Sequence, residues 1–130
     1  MFNTSVWPPS CPPSDAHAPD GLTVYRIVKS DPPSPGDFQS YFQAGIAVAG
    51  GAQQQCKSRS LSVFMDLNEA MALARGTQGK IGTMIAEGIL RQNDGVVEPS
   101  RRTSHVSWWL CDEIAEDPKQ MPSFRVIATI

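Results

Sequence analysis

Arg26 lies in the run Leu22-Thr23-Val24-Tyr25-Arg26-Ile27-Val28. Strand side chains alternate between two faces, so Leu22, Val24, Arg26 and Val28 share one that is otherwise apolar. A cation placed there needs a partner, because an unpaired buried charge is very costly. The partner is either an anionic ligand, which a guanidinium grips through a bidentate fork, or a carboxylate of the chain itself. Glu87 offers that carboxylate. It stands in an alternating stretch in which Ile81, Thr83, Ile85 and Ile89 take the same face. Glu87 is thus a candidate ion-pair partner for Arg26 and also a candidate catalytic residue.

Ser60 and Ser62 share a face with Phe64, just ahead of a helix start at Asp66. Hydroxyls beside a helix N-terminus suit an anion or a ribose, because the free helical N–H groups point outward there. The plainer alternative is a pair of hydroxyls bonded to neighbouring backbone. His105 is the histidine of the folded region, since His17 falls in a proline-rich start. Histidine is the usual general acid or base near neutral pH. Trp108 and Trp109 follow three and four residues later, and their rings can stack on a base or a nicotinamide. The alternative for His105 is a hydrogen-bonded packing residue.

Several chemistries are excluded. The chain has no GxSxG elbow, no Walker A sequence and no HExxH. The pair Gly50-Gly51 by itself does not indicate dinucleotide binding. Cys11, Cys56 and Cys111 are odd in number, widely spaced and without a CxxC pair, which argues against structural zinc and a disulfide scaffold. The expectation is three reduced thiols and no metal. A net charge of −2 gives no broad footprint for nucleic acid. The start lacks the basic and continuous apolar regions of a signal peptide, and no apolar run approaches the ~20 residues that span a bilayer. The chain therefore reads as cytoplasmic, without a membrane partner.

The elements that must hold these residues follow from local pattern. The 130 residues suit one domain with one real core. Residues 1–20, with Pro8, Pro9, Pro12, Pro13 and Pro19, read as a proline-rich tail that Trp7 and Phe2 could anchor. A single domain spans 21–130. Its first strand ends before Asp31-Pro32-Pro33. Ser34-Pro35-Gly36-Asp37 then reads as a helix start, with Phe38, Tyr41 and Phe42 as the apolar stripe and Gly45 as the stop. Residues 46–58 read as a mobile loop, of which 46–56 is expected to gate a cleft. A second strand runs from Ser58 to Phe64, and a second helix is capped by Asp66 with Leu67, Ala70, Met71 and Ala74 facing inward. Strands follow over residues 80–90, around Val96-Val97, over 104–110 and over 124–130. Glu113 to Pro122 is polar and turn-like. This order predicts an α+β fold with a compact mixed, mainly antiparallel sheet and two main helices.

The layout resembles the ADP-ribosyltransferase fold. Tyr25-Arg26 looks like the family's first-strand element, and Ser60-Leu61-Ser62-Val63-Phe64 with the helix from Asp66 looks like its serine-bearing strand and helix. The resemblance implies NAD as substrate. Arg26, Ser62 and Tyr25 would then hold phosphate and ribose, Trp108 or Trp109 would stack, and His105 and Glu87 would do the catalytic work. The segment Ser104 to Trp109 carries no ExE or QxE motif, and Glu98 and Glu113 flank it without matching. The layout is also similar to that of small bacterial proteins from which no activity carries over. Two functions follow as expectations: binding or processing of NAD, ADP-ribose or a related nucleotide, or a non-catalytic protein-interaction module of the immunity or accessory kind.

Overall fold

A computed structural model describes residues 7–110 and 121–130. Six strands form one sheet: β1 (Leu22–Val28), β2 (Leu61–Phe64), β3 (Met84–Leu90), β4 (Val96–Pro99), β5 (His105–Trp109) and β6 (Phe124–Thr129). Their spatial order is β4-β5-β2-β1-β3-β6, and every pair is antiparallel. Two helices, α1 (Ala52–Ser58) and α2 (Leu67–Gly76), complete an α+β fold. Among the described residues no helix is long and apolar enough to cross a membrane.

The sheet buries both faces, each for a different reason. On one face Val24, Leu61, Val63, Leu90, Val97, Val106 and Trp108 form the larger core, closed by Phe38 from the loop after β1. Phe124 reaches across this face, 5.0 Å from the Phe38 ring and 6.1 Å from Trp108. On the other face α2 lays Ala70 and Ala74 against Ile27, Phe64 and Ile85. Small residues on the helix let it sit close to bulky β-forming ones. Asp66 starts α2 by accepting the Asn68 amide at 2.8 Å, as the sequence predicts.

Two local expectations are corrected. The helix expected from Ser34 through Phe42 is a single 3₁₀ turn, Pro35–Phe38. The guanidinium of Arg26 donates to the carbonyls of Asp37 and Gln39, acceptors that a continuing helix would need. The second helix of the fold lies instead within the segment read as a mobile loop. Gln53, Gln54 and Gln55 are good helix formers. The Gln55 amide also donates to the Val48 and Gly50 carbonyls, tying the irregular residues before α1 to the helix.

The thiol expectation is corrected as well. Cys11 and Cys56 form a disulfide, 45 residues apart in sequence. It fastens the proline-rich segment to α1, and Trp109 packs on it. That segment also makes one antiparallel bridge to β4, with His17 N donating to Val97 O and Val97 N donating back to His17 O. Sequence spacing could not show this pairing, since the fold alone brings position 11 beside position 56. Phe2, Cys111 and Glu113 lie outside the described residues.

Candidate functional site

β2 and β5 build the floor of the site. Their register sets Ser62 opposite Ser107 and Phe64 opposite His105. Opposed residues of an antiparallel pair share a face. Val63 and Val106 take the other face, in the larger core. Ser62, Ser107 and His105 are therefore left on the face that carries α1 and α2. There the Ser62 Oγ and His105 Nε2 are 2.9 Å apart. The imidazole meets the Phe64 ring edge-on at 5.5 Å, which restricts its orientation. Burial and, after it, the nearby Lys57 ammonium push the His105 pKa below the ordinary imidazole range. A neutral ring protonated on Nδ1 accepts the Ser62 hydroxyl hydrogen at Nε2.

A polar cavity of about 390 Å³ opens beside His105, lined by Asp15, Lys57, Glu98, Arg101, His105 and Ser107, with Ser62 behind the imidazole. Its walls come from three separate pieces of chain: the proline-rich segment, α1, and the β4–β5 hairpin. Asp15 belongs to the proline-rich segment and Lys57 to α1. Glu98 is the next-to-last residue of β4, and Arg101 sits in the turn into β5. Two cations, two carboxylates and the hydroxyls of Ser100 and Ser107 thus line one space. This set suits a small ligand carrying both negative charge and hydroxyl groups. Among the described residues no cluster of three or more histidine, cysteine, aspartate or glutamate side chains is arranged to hold a metal ion.

The sequence-predicted residues divide. Ser62 and His105 meet, as the reading of either as a site residue requires. Arg26 does not join them. It is opposite Ala86 in the register, whereas its neighbour Tyr25 is opposite Glu87 and Phe64. Arg26 therefore points to the other face of the sheet. There its Nε donates to Asp37 O at 3.0 Å, its Nη1 to Ser62 O at 2.8 Å and its Nη2 to Gln39 O at 3.5 Å. Burial lowers its pKa to about 10, with Asp37 and Tyr41 opposing, so it stays charged at neutral pH. Arg26 is thus a clamp on backbone carbonyls rather than a phosphate ligand. The Asp37 carboxylate beside it accepts from the Lys29 amide, the Ser34 amide and the Ser30 hydroxyl. Burial works against its charged form, but these bonds outweigh that and hold its pKa below the usual value.

The expected pairing of Arg26 with Glu87 is overturned by the same register, which puts them on opposite faces. Glu87 is also far from His105. In the row His105, Phe64, Tyr25, Glu87, Arg125 each residue opposes the next. Three strand spacings separate Glu87 from His105, roughly 14 Å. The two cannot act on one reacting atom. Glu87 acts instead on Tyr25, whose pKa is raised by burial first and then by the charge and hydrogen bond of Glu87. Trp108 and Trp109 are fully buried and cannot stack on a ligand. Trp108 Nε1 donates to Asp94 O, and Trp109 Nε1 donates to Cys56 O. Their apolar bodies and single N–H donors serve the core, one on each face of the sheet.

Sequence reasoning missed Asp15, Lys57, Glu98, Arg101 and Ser107. None stands in a motif. Ser107 carried the one available signal, since it alternates with the buried Val106 and Trp108 and lies two residues from His105. No family model matches the chain, and no curated protein or solved structure matches it.

Proposed function

We propose that the cleft beside Ser62 and His105 binds the ribose and phosphate of a nucleotide of the NAD or ADP-ribose class. The observation that carries this reading is that His105, 2.9 Å from Ser62 Oγ through its Nε2, stands in the wall of a polar cavity. Lys57 and Arg101 supply charge for phosphate. Asp15 and Glu98 supply acceptors for ribose hydroxyls. The cavity of about 390 Å³ suits one ribose-phosphate half rather than a whole dinucleotide. Arg26, Trp108 and Trp109 take no part. Any turnover falls to His105, which as a neutral base withdraws a proton from a hydroxyl held at Ser62. The reading keeps the likeness to ADP-ribosyltransferases as a likeness of layout, and fold does not imply function.

The reading also keeps the chain in the cytoplasm. Disulfides in such a compartment are usually transient, and redox-sensing or catalytic.

A melting experiment tests the ligand. ADP-ribose at 100 times its dissociation constant stabilises by about 2.7 kcal/mol. For a domain of this size the midpoint should rise on the order of 10 °C. Ser62→Ala and Lys57→Ala should each shrink the rise. A midpoint that does not move with NAD, ADP-ribose or mononucleotides at millimolar concentration would overturn the proposal. An interaction module would then lead. It is favoured by one feature: Tyr41, Phe42 and Ile46 are 56%, 40% and 52% exposed. They lie in a stretch from Phe38 to Cys56 without a charged residue.

A further inference from the structure

We infer that the Cys11–Cys56 disulfide is a redox latch on the cleft, whose reduction frees the segment carrying Asp15 and weakens ligand binding. The inference rests on the reading of the cleft as a ligand site. Cys56 directly precedes Lys57, and Cys11 lies four residues before Asp15. Both Asp15 and Lys57 line the cavity. One covalent bond therefore sets the distance between two walls that the chain otherwise brings together only loosely.

Beyond the disulfide, the backbone of the described segment pairs with the sheet at His17. Five prolines in residues 8–19 remove backbone donors from the segment. The Ala16 amide donates within the segment itself, to Pro13 O. Among the described residues His17 makes one bridge, to Val97 on β4. Cys11, Cys56 and Trp109, with Trp7, Ala16 and Val96 packed round them, form a cluster separate from the two main cores. Opening this cluster leaves the packing of β1, β3 and α2 untouched. A latch needs that independence, because a bond that held the main core together would unfold the protein when cut.

The reaction is ordinary thiol–disulfide exchange with a dithiol as reductant. A thiolate of the dithiol attacks one sulfur, and the other sulfur leaves as thiolate. The second thiol of the reductant then displaces the first protein sulfur and closes a cyclic disulfide. Two electrons pass to the protein, and two protons complete the Cys11 and Cys56 thiols. Both cysteines are nearly enclosed, at 6% and 5% exposure, so attack follows fraying of the segment.

The experiment uses the full chain, oxidised and in dithiothreitol, beside the double variant Cys11→Ser/Cys56→Ser. Amide exchange is read at Ala16 and His17 and at Tyr25 and Glu87. ADP-ribose binding is read by calorimetry. Reduction should speed exchange at Ala16 and His17 at least tenfold and leave Tyr25 and Glu87 unchanged. The dissociation constant should rise about tenfold, the double variant should match the reduced protein, and reoxidation should restore the first state. Unchanged exchange at Ala16 and His17 overturns the latch. So does loss of protection at Tyr25 and Glu87, which would make the disulfide a staple of the whole fold. If ADP-ribose binds neither form, the ligand reading fails, while the exchange rates still decide whether the segment opens.

Discussion

The imidazole of His105 is held neutral by two effects that act in the same direction, lost water and a facing ammonium. A folded pKa below the unfolded value gives no stabilisation above the unfolded pKa. It costs stability as pH falls through about 6.5 toward the folded pKa, because the unfolded chain binds the proton more readily. Titration of His105 by proton NMR should thus give a value below that of a free peptide, and Lys57→Ala should move it up. A value at or above the free-peptide one would contradict the geometry. Arg26 is a different kind of residue. Its partners are backbone carbonyls, which no substitution removes, so Arg26→Met leaves acceptors stranded. Urea unfolding should show a loss of about 1–2 kcal/mol, as expected when partly exposed acceptors lose a charged donor. A loss under about 0.5 kcal/mol, the range of ordinary surface changes, would show that the clamp is idle. The sequence made the need for an Arg26 partner legible, from one cation on an apolar strand face. It did not show which partner, because the carbonyls come from residues up to 36 positions away.

At the level of elements, β3 and β6 meet through a glycine. Gly88 is opposite Phe124, and a Cβ on Gly88 would stand 2.7 Å from the Phe124 ring. Phe124 packs on Phe38 and Trp108, so the ring must break those contacts to yield, moving toward the cavity of about 350 Å³ that it lines with Phe38. Gly88→Ala should therefore cost about 1–3 kcal/mol, the usual penalty for forcing extra volume into a packed core. Gly88→Ala combined with Phe124→Leu should recover part of it. A Gly88→Ala variant as stable as the parent would show that the ring moves aside. The elements were legible where period and cap agreed. Leu67, Ala70, Met71 and Ala74 behind an Asp66 cap predict α2, and the β-branched runs predict β1, β3 and β6. They were illegible where a distant group took over. Arg26 holds the carbonyls that would have extended the helix after Ser34, and the anchored Cys56 fixes α1 inside an apparent loop.

For the whole molecule, the deciding fact is that the sheet has two buried faces and the candidate residues are shared between them. Composition and pattern determined the class: an α+β chain, strand-rich toward its end, with a mainly antiparallel sheet and the helix behind Asp66. They also marked Ser62 and His105 as polar side chains on strands, because hydroxyl and imidazole groups stand out against a β-forming background. Only tertiary structure decided which of the marked residues meet. Strand alternation fixes the face of each residue relative to its own strand. Register fixes it relative to the neighbouring strands, and a shift of one position reverses every side chain. That register put Ser62 and His105 together, sent Arg26 to the opposite side, and set Glu87 three strands from His105. The disulfide and the cavity walls likewise join Asp15, Cys11, Cys56, Lys57, Glu98 and Arg101 from pieces of chain with no common pattern. Local sequence encodes the preference of each piece, and contacts across long loops are specified only by the packing of the whole.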